Sequence, residues 1–365
     1  MIETLLAPFR TMSALTQRAS LALLPLIAAA PAAIQAPAYA PKDGSTLVKS
    51  FVLTMNTAID DSTTLVNGDD SQSPSIESET LIVRKLQVSD HIVSCESGRP
   101  TKLVRSYDGL GINIESPLQM SGPVSVEADL AFEGVSPLDA LEVEFTWDSD
   151  AETYKRAWVG GEGDSSHLDG LAEDLDLRAL LPDGEVSVGD SWAVDPEAFV
   201  DLLYSGGDLS FEMSSTGDSP PAGVGNIEDQ PSPRESFDKL GDCKVTARLA
   251  EPRSDGGRRL AVISFTADLE GSLDNSEAVL KTLGEMVPGG TFNVELANTD
   301  TFVEGKGEML WDMAAGHAAS LTFEGELTAS QEQRASLSFG GQELDIESTT
   351  NTSGTVELKV EISAK

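Results

Sequence analysis

The chain is poor in basic residues, histidine, cysteine and aromatic residues, and these shortages exclude several classes of function. Its 365 residues include 24 lysines and arginines against 61 aspartates and glutamates, which gives a formal net charge of −37 at pH 7. A field this negative repels phosphate backbones and anionic lipid, so we expect no nucleic-acid partner and no peripheral membrane binding. Three histidines and 5% aromatic residues leave little material for imidazole chemistry or base stacking.

The rest of the composition is that of a globular protein. Hydrophobic residues make up 40% of the chain and charged residues 23%, and the length suits one large domain or two ordinary ones. Glycine-rich phosphate loops, dinucleotide fingerprints and basic patches do not occur in the sequence.

Residues 1–40 have the order of a secretory signal peptide. Arg10 and Arg18 precede the apolar run Leu21–Ala33, and small residues follow at 36–40. Positive residues, a short apolar centre and a small-residue cleavage site define such leaders. Two prolines, Pro25 and Pro31, interrupt the run, which is shorter than the roughly 20 apolar residues of a spanning helix.

The start and the cleavage position of this leader each have two solutions. Cleavage after Ala40 would place Pro41 first in the mature chain, which peptidases disfavour, so cleavage after Ala38 is the alternative. A start at Met12 would leave a leader of ordinary length. We expect a periplasmic or secreted bacterial envelope protein with no integral membrane span after cleavage.

Two cysteines, Cys95 and Cys243, lie far apart in the sequence. Export to an oxidising compartment permits a disulfide between them, and two separate buried thiols are the alternative. Neither cysteine lies near the cleavage region, so a lipoprotein anchor is not predicted.

Alternation of apolar and polar residues is the dominant pattern of the mature chain and predicts strands with one buried face. Short polar turns between these runs predict antiparallel meanders. We expect a mainly β fold: a large curved sheet, a half-barrel or two packed sandwiches, with one or two short helices. The clearest runs are Phe51–Ile59, Val124–Phe132, Leu141–Trp147, Cys243–Leu249, Ala261–Leu269, Ala319–Leu327 and Val356–Ile362.

Helical periodicity predicts two short helices, at Leu168–Leu181 and Ser276–Val287. A segment rich in serine, glycine and proline, residues 205–236, predicts a long flexible loop. It would separate an N-terminal β region (41–204) from a C-terminal antiparallel β region (237–365), as two domains or as parts of one sheet.

Candidate catalytic and metal-binding residues lack the context that their chemistry needs. Ser165 and Ser166 lie within Asp164–His167, but no Gly-x-Ser-x-Gly elbow surrounds them, which favours a polar loop. His91 and Cys95 are four residues apart in a predicted strand, which separates them by about 13 Å. We therefore expect no catalytic residue, no cofactor site and no metal site.

Acidic loops could bind calcium weakly at the surface. Asp174, Asp176 and Glu185 match positions 1, 3 and 12 of an EF-hand loop, but Arg178 and Ala179 occupy positions 5 and 6. An arginine opposes the ion and the obligatory glycine is missing, so we reject an EF-hand. The other acidic stretches are interpreted as solvated loops, and they are Asp60-Asp61, Asp69-Asp70 and Glu162–Asp176.

The most motif-like stretch is Asp176–Pro182 followed by Val186–Trp192. Its leucine-proline and valine-x-valine-glycine-aspartate-serine-tryptophan pattern resembles uncharacterised secreted β-rich proteins of planctomycete-type bacteria. The strings at Ser97–Pro100, Arg105–Tyr107 and Gly307–Gly316 are similar to other parts of such proteins. The resemblance implies export and a β-rich fold, and it implies no reaction and no catalytic residue.

These observations favour an exported, acidic, non-enzymatic protein that binds a ligand or builds envelope structure. The alternatives are an extracytoplasmic hydrolase using carboxylates and a carrier of apolar ligands with a half-barrel fold. Paired carboxylates cannot be singled out among 61 acidic residues, and fold analogy alone suggests the carrier.

Overall fold

In the described part of the chain, fifteen strands pair into one antiparallel sheet, which confirms the predicted mainly β, antiparallel fold. The computed structural model describes residues 36–70, 75–121, 125–161, 163–218, 233–286, 291–339 and 342–365, which belong to one compact unit. The strands are β1 (Thr46–Val66), β2 (Ser75–Glu96), β3 (Arg99–Ser121), β4 (Val126–Val135), β5 (Glu142–Asp148), β6 (Thr153–Trp158), β7 (Ser191–Val194), β8 (Glu212–Ser215), β9 (Lys239–Leu240), β10 (Lys244–Leu249), β11 (Arg253–Asp255), β12 (Arg258–Asp274), β13 (Thr291–Asp312), β14 (His317–Phe339) and β15 (Gln342–Ala364).

The sheet is open, with β6 at one end and β7 at the other. Its order is β6-β5-β3-β2-β1-β15-β14-β13-β12-β10-β7. Strand β4 pairs with β3 and β8, and the short strands β9 and β11 both pair with β12. Among the predicted architectures, the single large sheet is therefore the one that forms.

The first and last strands join the two predicted β regions. Phe51 of β1 lies opposite Val360 of β15, and Leu53 lies opposite Leu358, so the sheet is continuous through the pair. Of the predicted loop at 205–236, the described parts contain β8 and the start of a 3-10 helix, Glu235–Phe237. Residues 219–232 lie outside the described part of the chain.

Burial along the strands follows the period of two that the sequence predicts. In β1, Phe51, Leu53 and Met55 are at most 4% exposed, while Asn56 is exposed. Neighbouring strands place their apolar residues on the same face, and these side chains form one large core cluster. The opposite face of the sheet carries serine, threonine and charged residues.

Helix α1 (Pro196–Leu203) packs against the apolar face. Its N-terminus is capped by Asp195, whose carboxylate accepts a hydrogen bond of 3.1 Å from the backbone N–H of Glu197. The Phe199 ring meets Phe265 and Phe323 edge-on, at centroid distances of 5.6 and 5.2 Å. The Phe199 ring therefore occupies the space that an apolar ligand would need in a half-barrel.

The predicted helix at Leu168–Leu181 is wrong. The segment has irregular backbone between two 3-10 helices, Ser165–Leu168 and Arg178–Leu180. Its leucines are buried, as the periodicity implied, but Leu177 has a left-handed backbone with φ of 60°. The second predicted helix forms as α2 (Ser276–Met286), and Val287 lies outside the described residues.

Arginine side chains explain why no helix forms at this point. The Leu171 carbonyl accepts a hydrogen bond of 2.8 Å from Arg156. Arg105 donates to the carbonyls of Ala172 and Glu173 at 2.8 and 2.7 Å. These carbonyls would accept the backbone N–H groups four residues later in an α-helix, so the guanidinium groups replace helical hydrogen bonds.

Cys95 and Cys243 are both free thiols, so the disulfide does not form, and the thiols are separate as in the alternative but half-buried instead of buried. The Cys243 thiol lies 3.3 Å from the Glu270 carbonyl, to which it donates. The predicted leader lies outside the described residues up to position 35. No helix among the residues described is long and apolar enough to cross a membrane.

Candidate functional site

Three charged side chains interrupt the apolar face of adjacent strands. Lys49 of β1, Asp90 of β2 and Arg105 of β3 are each 0% exposed. Asp90 lies opposite Leu47 in β1 and opposite Arg105 in β3, so the register of the sheet brings the three together. Burying isolated charges is strongly unfavourable, which requires that each be paired.

Asp90 is held by two cations at once. Arg105 donates from Nε and Nη2 to the two carboxylate oxygens at 2.7 and 2.9 Å. Lys49 Nζ donates to Asp90 Oδ2 at 2.7 Å and also to Asp176. This pairing of a fork-shaped guanidinium with a carboxylate is among the strongest hydrogen-bond arrangements in proteins.

Segment 172–178, which has an irregular backbone, lies above the sheet and contributes the remaining charged side chains of this group. Arg178 donates to Glu173 through Nη2 and to Asp176 through Nη1, the latter at 3.1 Å. Asp174, on the rim, lies 3.5 Å from Arg178 Nε. We call these six side chains, of which all but the partly exposed Arg178 are buried, the buried ion network: Lys49, Asp90, Arg105, Glu173, Asp176 and Arg178.

Burial and neighbouring charge act in opposite directions on the pKa values of the network. For Asp90, burial raises the pKa, but the charges of Arg105 and Lys49 outweigh it and lower the pKa to about 2. For Lys49, burial lowers the pKa, and Asp176 with Asp90 outweigh it and raise the pKa. For Glu173, burial dominates over Arg178 and raises the pKa to about 7.

Tyr39 covers one side of the network. Its side chain is buried, and its ring lies 5.7 Å from the Arg178 guanidinium carbon in a cation–π contact. Burial, followed by the nearby Asp176 carboxylate, raises the pKa of the phenol. Tyr39 therefore stays neutral, and its ring covers one side of Arg178, whose side chain is otherwise 17% exposed.

Hydrogen bonds from Lys49 and Arg105 hold segment 172–178 against the sheet. Three cations face Asp90, Asp176 and Glu173, so the charges balance once Glu173 is ionised, above about pH 7. Asp90 is 0% and Asp176 1% exposed, and a substrate could reach these carboxylates only if the fold opened. The arrangement therefore suits a structural tie better than acid–base catalysis.

A second polar feature lies on the opposite, open face of the sheet. A groove of about 610 Å³ crosses strands β7, β10, β12, β13 and β14. We call it the polar groove, and its lining is Ser191, Thr246, Arg248, Ser264, Phe265, Thr266, Lys306, Gly307, Glu308, Thr322 and Glu324.

The polar groove contains charged residues of both signs on neighbouring strands. Lys306 lies opposite Glu324 in the β13–β14 pair, and Glu308 is bound by Arg253 at 3.0 Å. Arg248 lies between Ser191 and Ser264 on its two neighbouring strands. Within the described ranges, Arg248 and Lys306 form no ion pair, so their N–H groups remain available to a ligand.

Residues singled out in the sequence as possible catalysts serve the local fold. The Asp164 carboxylate caps a 3-10 helix by accepting from the Ser166 backbone N–H at 2.9 Å. His91 lies 3.3 Å from the Thr46 hydroxyl. The backbone N–H of Cys95 donates to Asp43 at 2.9 Å.

The metal candidates do not assemble into a site. Across the described residues, no group of three or more histidine, cysteine, aspartate or glutamate side chains could hold a metal ion. In the rejected EF-hand stretch, the Arg178 guanidinium occupies the centre of the acidic residues. Glu173, Asp174 and Asp176 therefore bind Arg178, the same residue whose charge argues against a calcium ion at this place.

Two comparisons found no match, since no protein-family model and no curated protein matches the chain. Solved structures of Pseudomonas aeruginosa OccK7 (OpdD) and OccK5 (OpdH) are weakly similar. OccK7 is 10% identical with a TM-score of 0.15, covering 88% of this chain and 99% of its own. OccK5 is 8% identical with a TM-score of 0.16, covering 87% and 98%. Likeness at this level carries no information about fold or function.

Proposed function

We propose that the protein is exported and binds a neutral, hydroxyl-rich ligand, such as a segment of a glucan, in the polar groove without catalysing a reaction. The observation that carries this proposal is the groove itself, with its five hydroxyl side chains and its two cations, which pair with no acidic residue in the described part of the chain. Export is supported by the order of residues 1–40 and by the resemblance of Val186–Trp192 to secreted proteins.

The balance of charge in the groove favours a neutral ligand. An anionic ligand would meet Glu308 and Glu324, and it would be repelled by a protein of net charge −37. A cationic ligand would meet Arg248 and Lys306. Sugar hydroxyls both donate and accept hydrogen bonds, so they can use the arginine, the carboxylates and the threonine hydroxyls together.

An apolar ligand finds less support. Beside α1, the space bounded by Phe51, Leu53, Leu203 and Leu358 measures about 10 Å³, which is enough for one water molecule at most. A lipid chain would require that α1 leave the sheet.

Binding can be tested by isothermal titration calorimetry with laminarin and dextran as neutral glucans and polygalacturonate as the anionic comparator. We expect saturable binding of at least one glucan and none of polygalacturonate. The double variant Arg248→Ala/Lys306→Ala should lose binding, while Arg258→Ala, at an exposed arginine outside the groove, should keep it. Binding that survives the double variant, or stronger binding of polygalacturonate, would contradict the assignment.

A further inference from the structure

The last residues of the predicted leader (1–40) pack against the folded core. Tyr39 is 3% exposed and belongs to the main core cluster. The backbone N–H of Ala40 donates to the Gly316 carbonyl at 2.8 Å, which ties the segment to the turn between β13 and β14. Ala38, directly before these two residues, is exposed.

Removal of Tyr39 would open the buried ion network. The Tyr39 ring covers the Arg178 guanidinium, and the phenol lies in the field of Asp176. Without the ring, more of the Arg178 side chain, which is already 17% exposed, would be open to water. A mature chain that begins at Pro41 would therefore lose both this cover and the Ala40–Gly316 hydrogen bond.

After the apolar run Leu21–Ala33, three alanines, at 36, 38 and 40, offer the small residue that leader cleavage requires. Ala36 and Ala40 are each followed by proline, whose ring fixes φ and leaves the peptide bond to be cleaved without an N–H. Ala38 is followed by tyrosine and has another small residue, Ala36, two positions before it. The Ala38–Tyr39 bond is therefore the one that satisfies both the small-residue rule and the fold.

We propose that the leader peptidase of the exporting cell hydrolyses the Ala38–Tyr39 peptide bond, so that Tyr39 becomes the first residue of the mature protein and closes the buried ion network. Water is consumed, the new carboxylate remains on Ala38 and the new amino group on Tyr39. This inference rests on the proposed export. It chooses Ala38 over Ala40 as the residue after which the leader is cleaved.

The position can be read by intact mass and N-terminal sequencing of the full chain expressed in a Gram-negative host and recovered from the extracytoplasmic fraction. We expect the sequence Tyr-Ala-Pro-Lys-Asp. A start at Pro41 or upstream of Tyr39 would overturn the inference and leave export standing, whereas an unprocessed chain retained in the cytoplasm would overturn export as well.

Two matched variants sharpen the test. Ala38→Phe places a large side chain directly before the cleaved bond and should abolish cleavage at that position. Ala40→Phe places the same side chain two residues beyond it and should leave cleavage intact. Loss of cleavage in both variants would show that the peptidase cuts after Ala40, because Ala38 would then be the small residue required two positions before it.

The covering role of Tyr39 is tested separately on purified chains that begin at Tyr39 or at Pro41. We expect the chain that begins at Pro41 to melt several degrees lower, because it exposes part of the network. Equal melting temperatures would overturn the role of Tyr39 as the closing residue.

Discussion

Replacing Asp90 by asparagine removes one negative charge from the centre of the buried ion network while nearly preserving side-chain volume. Lys49 and Arg105 then lack their shared counter-ion, although both remain 0% exposed. The asparagine NH₂ group would face N–H donors, because the carboxylate accepts hydrogen bonds at both of its oxygens. The variant thus creates an uncompensated buried charge.

The expected loss of stability follows from these contacts. A hydrogen bond to a charged partner contributes about 1.5–3 kcal/mol, and Asp90 accepts two from Arg105 and one from Lys49. Because the amide oxygen can keep part of this bonding, we expect Asp90→Asn to lower the free energy of unfolding by about 3–5 kcal/mol, as for other broken buried pairs.

Urea unfolding followed by tryptophan fluorescence and far-ultraviolet circular dichroism would measure this loss. A matched control is Glu144→Gln, which removes the same charge from the Lys102–Glu144 pair, whose side chains are 40% and 33% exposed. We expect that control to change the free energy by less than about 1 kcal/mol. Equal, small effects of both variants would refute the idea that the network stabilises the fold.

Three further predictions concern single residues. Trp192→Ala should lower the free energy of unfolding by about 3 kcal/mol or more, and an unchanged melting temperature would contradict this. Because burial raises the pKa of Glu173 to about 7, the folded state holds a proton between about pH 5 and 7 that the unfolded chain has lost. Relative to Glu173→Gln, wild-type stability should therefore fall by roughly 1–3 kcal/mol over that range, as urea titrations at each pH would show. Gly307→Ala would place a Cβ against the Phe265 ring and should destabilise by about 1–3 kcal/mol, whereas Gly184→Ala, which meets nothing within 4 Å, should melt like the wild type.

Most of the sheet was predictable because its strands have one apolar face. In β1 and β15 the alternating residues at Phe51, Leu53, Leu358 and Val360 are buried as the pattern requires. The pairing of these strands was not predictable, since no local pattern specifies that residues about 300 positions apart are neighbours. The sequence thus left open whether one sheet or two domains form.

The buried ion network was not predicted from the sequence, although the positions of two charged residues indicate it. Lys49 stands at an inward position between Leu47 and Phe51, and Asp90 stands likewise between Val88 and Ile92. Charged residues of opposite sign at inward positions of successive strands indicate a buried pair. Their partners in segment 172–178 could not be inferred, because leucine spacing there imitates a helix.

The pairing of β1 with β15 has a consequence for the order of folding. Strand β1 is synthesised first and finds β2 early, but its other edge has no partner until residues 342–365 have been made. An unpaired strand edge recruits other chains, and non-local pairing slows folding. The growing protein therefore carries an open edge through nearly its whole synthesis, and a chain truncated before β15 would be prone to aggregate.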